Sequence, residues 1–409
     1  MNFLVELREG LLISWASIRA NKLRSVLTTL GIIIGIVTVT LMGTALEGLN
    51  RAFMQSVSVI GADVLYVDRM NWLARSHEEW QKMQKRKVIT LAQVRALGKQ
   101  MTLASVVAPM VGSEETVLYG KKHSNNVKIL GTTDKFLQVT GMTLERGRFL
   151  TATESEGGRP VCVIGYAVAT NLFQRESALG KRIDIGSQKF EVVGTLGKQG
   201  SFMGAESLDN QAVIPLQNYL NSINPHPDFQ AQVKVRDLKR IDDAREELRG
   251  TLRKIRRVRP GDPDDFAINQ QEQFVEMFHQ VTRTIASIGF FITSLSLFVG
   301  GIGIMNIMFV TVAERTKEIG IRKAIGAKRR TILVQFLSEA ASICLLGGAI
   351  ALGIAWPLTL LMQRFFPATL SLRIIGVAMA VSLVTGLLSG LFPAYRAARM
   401  DPVEALRNE

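Results

Sequence analysis

Cysteine and histidine are nearly absent from this chain, with two and four among 409 residues. No two histidines stand at ligand spacing, which argues against a metal site. Cys344 falls in a long apolar run and Cys162 in a mixed stretch far from it, so no intrachain disulfide is expected. The phosphate-binding signature Gly-Lys-Ser/Thr is missing as well. Its nearest approaches are Gly98-Lys99, Gly120-Lys121, Gly180-Lys181 and Gly197-Lys198, followed by Gln, Lys, Arg and Gln. No P-loop can form from these. Neither Gly-x-Ser-x-Gly nor His-Glu-x-x-His occurs. By these motifs the chain is not an enzyme and holds no cofactor of its own.

What the chain has is segregation. It is 47% hydrophobic and 21% charged, and the two classes occupy different stretches. Four windows, 25–46, 285–313, 332–362 and 374–395, are apolar for the roughly 20 residues that a helix needs to cross hydrocarbon. More than two hundred residues of ordinary mixed sequence separate the first window from the second. The first window is too long for the apolar core of a cleaved signal and has no small-residue cleavage site after it, so it is expected to be retained. Residues 1–24 carry Leu4, Leu7, Leu11, Trp15 and Ile18 on one face and charge on the others, the pattern of a helix lying in the lipid interface.

Cations set the orientation. Arg8, Arg19, Lys22 and Arg24 precede the first window. Arg315, Lys317, Arg322, Lys323, Lys328, Arg329 and Arg330 follow the second, and Arg396, Arg399 and Arg407 follow the fourth. The short connection between the third and fourth offers only Arg364 and Arg373. The positive-inside bias therefore puts both termini and residues 314–331 in the cytoplasm, and residues 47–280 outside. Much of the net charge of +14 is this topology and attraction to anionic lipid. The run from Arg253 to Arg259 follows Asp242, Asp243, Glu246 and Glu247 on one helical pattern, a solvated face rather than a nucleic-acid surface. Within the windows, Gly31 and Gly35 form a small-xxx-small pair; Gly300, Gly301, Gly303 and Asn306 mark a second packing stripe. Glu339, near the cytoplasmic end of its window, reads as a coupling-ion carboxylate or a snorkelling, hydrogen-bonded one, and the lack of an intramembrane basic partner favours the second.

The outer stretch alternates strand and helix patterns, an α+β domain with two subdomains. One is expected to combine 61–115 with 220–270, and the other to be inserted at about 115–220. Strands are expected at 63–68, 105–110, 117–119, 161–165 and 229–235, with a hairpin around Gly186-Ser187. Helices are expected at 90–97, capped by Thr90, at 166–173 and at 241–258. Residues 70–87 read as a loop or peripheral helix, and the glycine-rich 194–204 as a mobile or substrate-side loop rather than a phosphate cradle. Apolar residues keep helical spacing beyond the membrane at 47–60 and 270–284, two stalk helices.

Several stretches resemble a known family. They are Thr28-Thr29-Leu30-Gly31-Ile32-Ile33-Ile34-Gly35, Gly300-Gly301-Ile302-Gly303-Ile304-Met305-Asn306, Glu314-Arg315-Thr316-Lys317-Glu318-Ile319-Gly320-Ile321-Arg322-Lys323 and Phe392-Pro393-Ala394-Tyr395-Arg396. With Glu145-Arg146-Gly147-Arg148-Phe149 outside the membrane, they are similar to the permease of MacB-type ABC transporters, in the FtsX-like superfamily. The resemblance implies an inner-membrane homodimer served by a separate ATPase subunit, which would bind the ATP and magnesium. It implies mechanotransmission, in which ATP-driven closure is passed to the periplasmic domains and drives efflux of antibiotics, peptides or other small molecules through an adaptor and an outer-membrane channel. Lipoprotein release of the LolCDE kind and FtsX-like control of a cell-wall hydrolase are the alternatives. The ATPase-coupling residues it implies are Arg315, Glu318, Arg322 and Lys323, with Ile319 and Ile321 packing behind them.

Overall fold

The computed structural model describes residues 22–73, 76–174, 176–202, 206–365 and 367–407. The interfacial helix expected at 1–24 lies almost wholly outside the described residues. Two compact units emerge, Phe53–Phe278 and a second made of Met1–Ala52 with His279–Glu409.

The chain opens with α1 (Lys22–Val57), followed by β1 (Val64–Asp68), α2 (His77–Gln84), α3 (Leu91–Gln100), β2 (Ala104–Tyr119) and β3 (Lys122–Thr132). Next come α4 (Phe136–Thr140), β4 (Leu144–Gly147), α5 (Ala152–Gly157), β5 (Val161–Ile164), α6 (Tyr166–Phe173), β6 (Arg182–Ile185) and β7 (Gln188–Leu196). A small hairpin, β8 (Ser201–Phe202) and β9 (Glu206–Ser207), leads to β10 (Gln211–Pro215), α7 (Leu216–Ser222), β11 (Gln230–Val235), α8 (Ile241–Arg256) and β12 (Ala267–Gln270). The last elements are α9 (Gln271–Glu314), α10 (Thr316–Ala324), α11 (Arg329–Met362), α12 (Leu372–Arg399) and α13 (Pro402–Arg407).

The unit Phe53–Phe278 is built on one mixed sheet in the order β12-β1-β11-β2-β3-β10-β5-β7-β4, with β6 bridging β2 and β7. Its first four strands form a split βαβ pattern. β1 sits between β11 and β12, and β11 sits between β1 and β2, all antiparallel. Helices α3 and α8 make the two crossovers. This is the ferredoxin-like arrangement. The rest of the sheet grows from residues between β2 and β11, through the parallel pairs β3–β10 and β5–β7.

Side-chain alternation explains the layers. Leu65 and Val67 of β1, and Ala231, Val233 and Val235 of β11, face Val94 and Leu97 of α3 and Ala244, Leu248 and Leu252 of α8. Val64 and Tyr66 point to the other face, with Ala108, Val139 and Trp72. Thr90 closes a capping box with Gln93 at the start of α3. The expected pieces 105–110 and 117–119 belong to one sixteen-residue strand, Ala104–Tyr119, with a bulge between Glu115 and Val117. Of residues 70–87, the segment His77–Gln84 is helical, started by the Ser76 side chain accepting from the Glu79 amide.

Arg148 and Glu154 pin the start of α5. Two guanidinium nitrogens of Arg148 donate to the Glu154 carboxylate at 2.8 and 2.7 Å. Thr151 completes a capping box with Glu154. The Arg148 hydrogen bond, opposed by burial and helped by Thr151, holds the Glu154 carboxyl down at about 2. A carboxylate with a depressed folded-state pKa contributes stability above its unfolded value, near 4.5, and loses it as pH falls through the folded value. Glu154→Gln is therefore expected to cost about 1–2 kcal/mol near neutral pH, discounted because Arg148 is half-exposed. The gap between variant and parent should close between about pH 5 and pH 2 in thermal unfolding of the whole chain.

Among the described residues, four helices are apolar and long enough to cross a membrane, and they lie mostly in the second unit: Leu30–Val57 within α1, then α9, α11 and α12. Ile32, Ile36, Ile304, Met308, Phe336, Ala340, Cys344, Ala394 and Ala397 form their shared core. The outward residues are apolar too, with Phe290 74% and Phe291 71% exposed, as hydrocarbon would favour. Cys344 and Cys162 are both buried and free.

Candidate functional site

The charged stretch between the second and third spans folds as a helical corner. Helix α9 ends at Glu314, α10 runs Thr316–Ala324, and α11 starts at Arg329. Gly326, at φ +98°, makes the turn that a side-chain-bearing residue would resist. The amides of Ile325 and Gly326 close onto the carbonyls of Ile321 and Lys323.

One side of α10 is tied down. Ile319 is buried in the core shared with Ile332, Phe336 and Ala398. Arg322 donates to the Gln335 carboxamide oxygen at 2.7 Å and pairs with Glu318 at 2.6 Å. The Lys323 ammonium donates to the Met400 carbonyl at 2.5 Å. Burial, with Arg329 nearby, lowers the Lys323 pKa while Asp401 opposes the shift. These contacts fix the azimuth of a helix too short to be stable alone.

Two expectations are corrected by this geometry. Arg315 turns inward, and its guanidinium lies 3.3 Å from the Glu339 carboxylate, whose side chain is only 5% exposed. Glu339 therefore has a basic partner, 24 residues away in sequence, and is not a lone snorkelling carboxylate. Ile321 does not pack behind the charges; it is exposed. It belongs to an outward stripe with Glu314, Lys317, Glu318, Ala324 and Ile325, and Ile325 is 80% exposed. The helical spacing of that stripe is present in the sequence, but spacing alone does not tell which side of α10 faces outward, so the sequence does not single out Ile325.

The glycines fall into distinct environments. A Cβ on Gly31 would lie 3.1 Å from the Gly300 Cα, and one on Gly300 would lie 2.9 Å from the Ile32 backbone nitrogen. A Cβ on Gly35 would meet Leu297, and one on Gly301 would meet the Ser389 hydroxyl at 2.6 Å. Gly303 is half-buried, whereas Asn306 is exposed.

Comparisons with known proteins agree with this layout. Residues 25–251 match the MacB-like periplasmic core domain, and residues 290–402 match the FtsX-like permease C-terminal domain. The first match alone covers more than half of the chain. The chain belongs to the MacB-like permease family. It is 32% identical over 410 residues to the pyoverdine export ATP-binding/permease protein PvdT of Pseudomonas syringae pv. tomato, covering 99% of this chain and 60% of that protein. It is also 32% identical over 420 residues to the macrolide export ATP-binding/permease protein MacB of Wolinella succinogenes, covering 100% of this chain and 62% of that protein. This MacB-like chain thus spans about three-fifths of the length of these curated relatives. The crystal structure of the periplasmic region of MacB from Actinobacillus actinomycetemcomitans aligns with 55% of this chain and 95% of that one, at 19% identity and a TM-score of 0.45. In the MacB-like permease, the corner around α10 falls inside the FtsX-like match.

Proposed function

We propose that this chain is the permease of an ABC transporter whose ATPase lies outside these 409 residues, and that α10 is the element the ATPase grips. The observation that carries the reading is the two-sided character of α10. Its inner side is fastened to α11 and the end of α12, and its outer side offers Ile321 and Ile325 between Glu314, Lys317 and Glu318. An apolar anchor rimmed by charge is what a docking groove selects. Force applied there reaches α9 and α11 directly, because short turns join them.

Orientation follows the cation bias, with the α10 corner cytoplasmic and Phe53–Phe278 periplasmic. Helix α9 is unbroken for 44 residues, about 66 Å at the helical rise. The Phe53 and Phe278 rings stack 4.0 Å apart, joining the last turns of α1 to the first turns of α9. Both features support stalk helices that carry displacement to the periplasmic domain. A homodimer is supported by α9 as well. Val281, Ile285, Ile288, Ile292, Leu295, Val299 and Ile302 recur at alternating four- and three-residue steps and all are exposed. Asn306 takes the next position in the series, the place where a polar residue sets register between paired helices. On this reading the transporter drives periplasmic small molecules, peptides or antibiotics toward an adaptor and outer-membrane channel.

The test is co-purification with the partner ATPase. Ile325→Asp and the charge exchange Glu318→Arg with Arg322→Glu should both leave insertion intact. Each should weaken docking by about 2–5 kcal/mol, since a charge is then buried against the wrong surface. The parent complex should contain two permease chains and hydrolyse ATP, while the purified permease alone should not. Normal docking and transport by both variants would remove α10 as the coupling element.

A further inference from the structure

The face of the large sheet turned away from α3 and α8 carries a cavity of about 730 Å³, the size of a small-molecule site. Adjacent strands make its floor. Tyr66 of β1 stands opposite Gln232 of β11, and Gln230 stands opposite Met110 of β2. One wall is aromatic. The Tyr66 and Trp72 rings lie 4.9 Å apart, and the Trp72 and Phe274 rings 5.4 Å apart.

Two glutamines in this floor are buried without good partners. Gln232 is 3% exposed and Gln211 is 4% exposed. The Gln232 amide nitrogen donates to the Met110 thioether at 3.1 Å, a weak acceptor, and its Oε1 has no hydrogen-bond partner. Exchanging the two amide atoms would leave both without a partner, because the Met110 thioether has no hydrogen to donate. Gln211 reaches only as far as the Met142 sulfur, at 3.7 Å. The Ser113 hydroxyl, also lining the cavity, is buried and unpartnered. A leucine would fill the same volume as Gln232 without the roughly 1–3 kcal/mol that an unsatisfied amide costs.

The acidic residues lining the cavity each have a neighbour of their own. Asp68 accepts from the Met70 amide and from Gln230 at 3.0 Å. Asp228 pairs with Arg69 at 2.9 Å, and Glu114 stands directly opposite Lys128 across the β2–β3 ladder. A ligand entering here finds hydrogen-bonding groups and aromatic faces, beside carboxylates already engaged by hydrogen bonds or by Arg69.

We propose that this cavity binds an uncharged amphipathic molecule, its N–H or O–H donor meeting Gln232 Oε1 and its apolar ring or chain lying against Trp72. Binding here requires no ATPase, so the site stands or falls separately from the role of α10.

The probe is N-acetyl-4-benzoylphenylalanine amide, which is uncharged, aromatic and rich in amide N–H, and whose photoproducts form readily with methionine. Irradiated with the full chain in lipid nanodiscs, it should label Met110 or Met142 saturably, and excess N-acetyltryptophanamide should compete. Gln232→Leu should reduce that labelling by about ten-fold, one lost hydrogen bond's worth, while the thermal midpoint stays level or rises. A purely structural glutamine would instead lower the midpoint. Thr140→Trp, which fills the cavity from α4, should abolish labelling and decides the matter if Gln232→Leu fails to fold. Labelling that does not saturate, that falls on other residues, or that survives Thr140→Trp overturns the site.

Discussion

Arg315→Ala should destabilise the membrane unit by about 3 kcal/mol, because it strands the Glu339 carboxylate in the protein interior. Glu339 is 5% exposed on its side chain and Arg315 is 26% exposed, so the expected loss sits at the lower end of the range for breaking a buried pair. Replacing both, Arg315→Met with Glu339→Leu, should recover most of the stability, since two apolar side chains need no mutual compensation. Thermal unfolding in nanodiscs reads both effects. The pair also separates two roles for Arg315. If the double variant is stable and still binds the ATPase, Arg315 acts through the fold of the α10 corner. If it is stable and fails to bind, Arg315 touches the partner itself.

That pair shows where sequence reading stops. Arg315 stands at the turn between α9 and α10 and Glu339 on α11, and nothing in their local spacing places one against the other. The spans themselves were legible because hydrocarbon thickness imposes a length and a composition that few other segments meet. The charged corner was legible because cations at that density have no place in lipid. Its two faces were not. Ile319 and Ile321 are two residues apart, so on a helix they cannot share a side, and only the packing of Ile319 against Phe336 and Ile332 shows which one points inward.

The periplasmic unit has the same division. Helix α3 was legible through the Thr90 cap, and β5 with α6 through an apolar run entering a helical pattern. Strand β3 did not, because its first half, Lys122 to Asn126, carries four polar or charged residues and a histidine that read as loop. Long-range pairing with β2 overrides that local preference. The alternation of Gln230, Gln232 and Lys234 with Ala231, Val233 and Val235 reads as a strand with one face in water. The structure roofs part of that face: Gln232 is buried and lines the cavity with Gln230, while Lys234 stays partly exposed.

Gly300→Leu should be the most damaging substitution in the membrane unit. At this crossing α1 and α9 approach backbone to backbone, with a Gly300 Cβ 2.9 Å from the Ile32 nitrogen and 3.1 Å from the Gly31 carbonyl carbon. No rotamer relieves a clash with main chain, so the two helices must separate. Separation forfeits the packing of Ile32 and Ile36 against Ile304 and Met308. In a membrane, where lipid competes on equal terms for apolar side chains, close packing is the main force holding helices together. The expected cost is about 3 kcal/mol or more, combining overpacking with lost contact. Gly31→Leu should behave alike, because it enters the same crossing from the other side. Gly353→Ala and Gly376→Ala are the controls, as helical glycines with open space where a Cβ would go. They should be neutral or stabilising by up to about 1 kcal/mol, the helix-propensity gain of alanine over glycine. Thermal midpoints of the four variants in nanodiscs check the contrast. Equal behaviour at Gly300 and Gly353 would mean that the α1–α9 crossing does not govern stability.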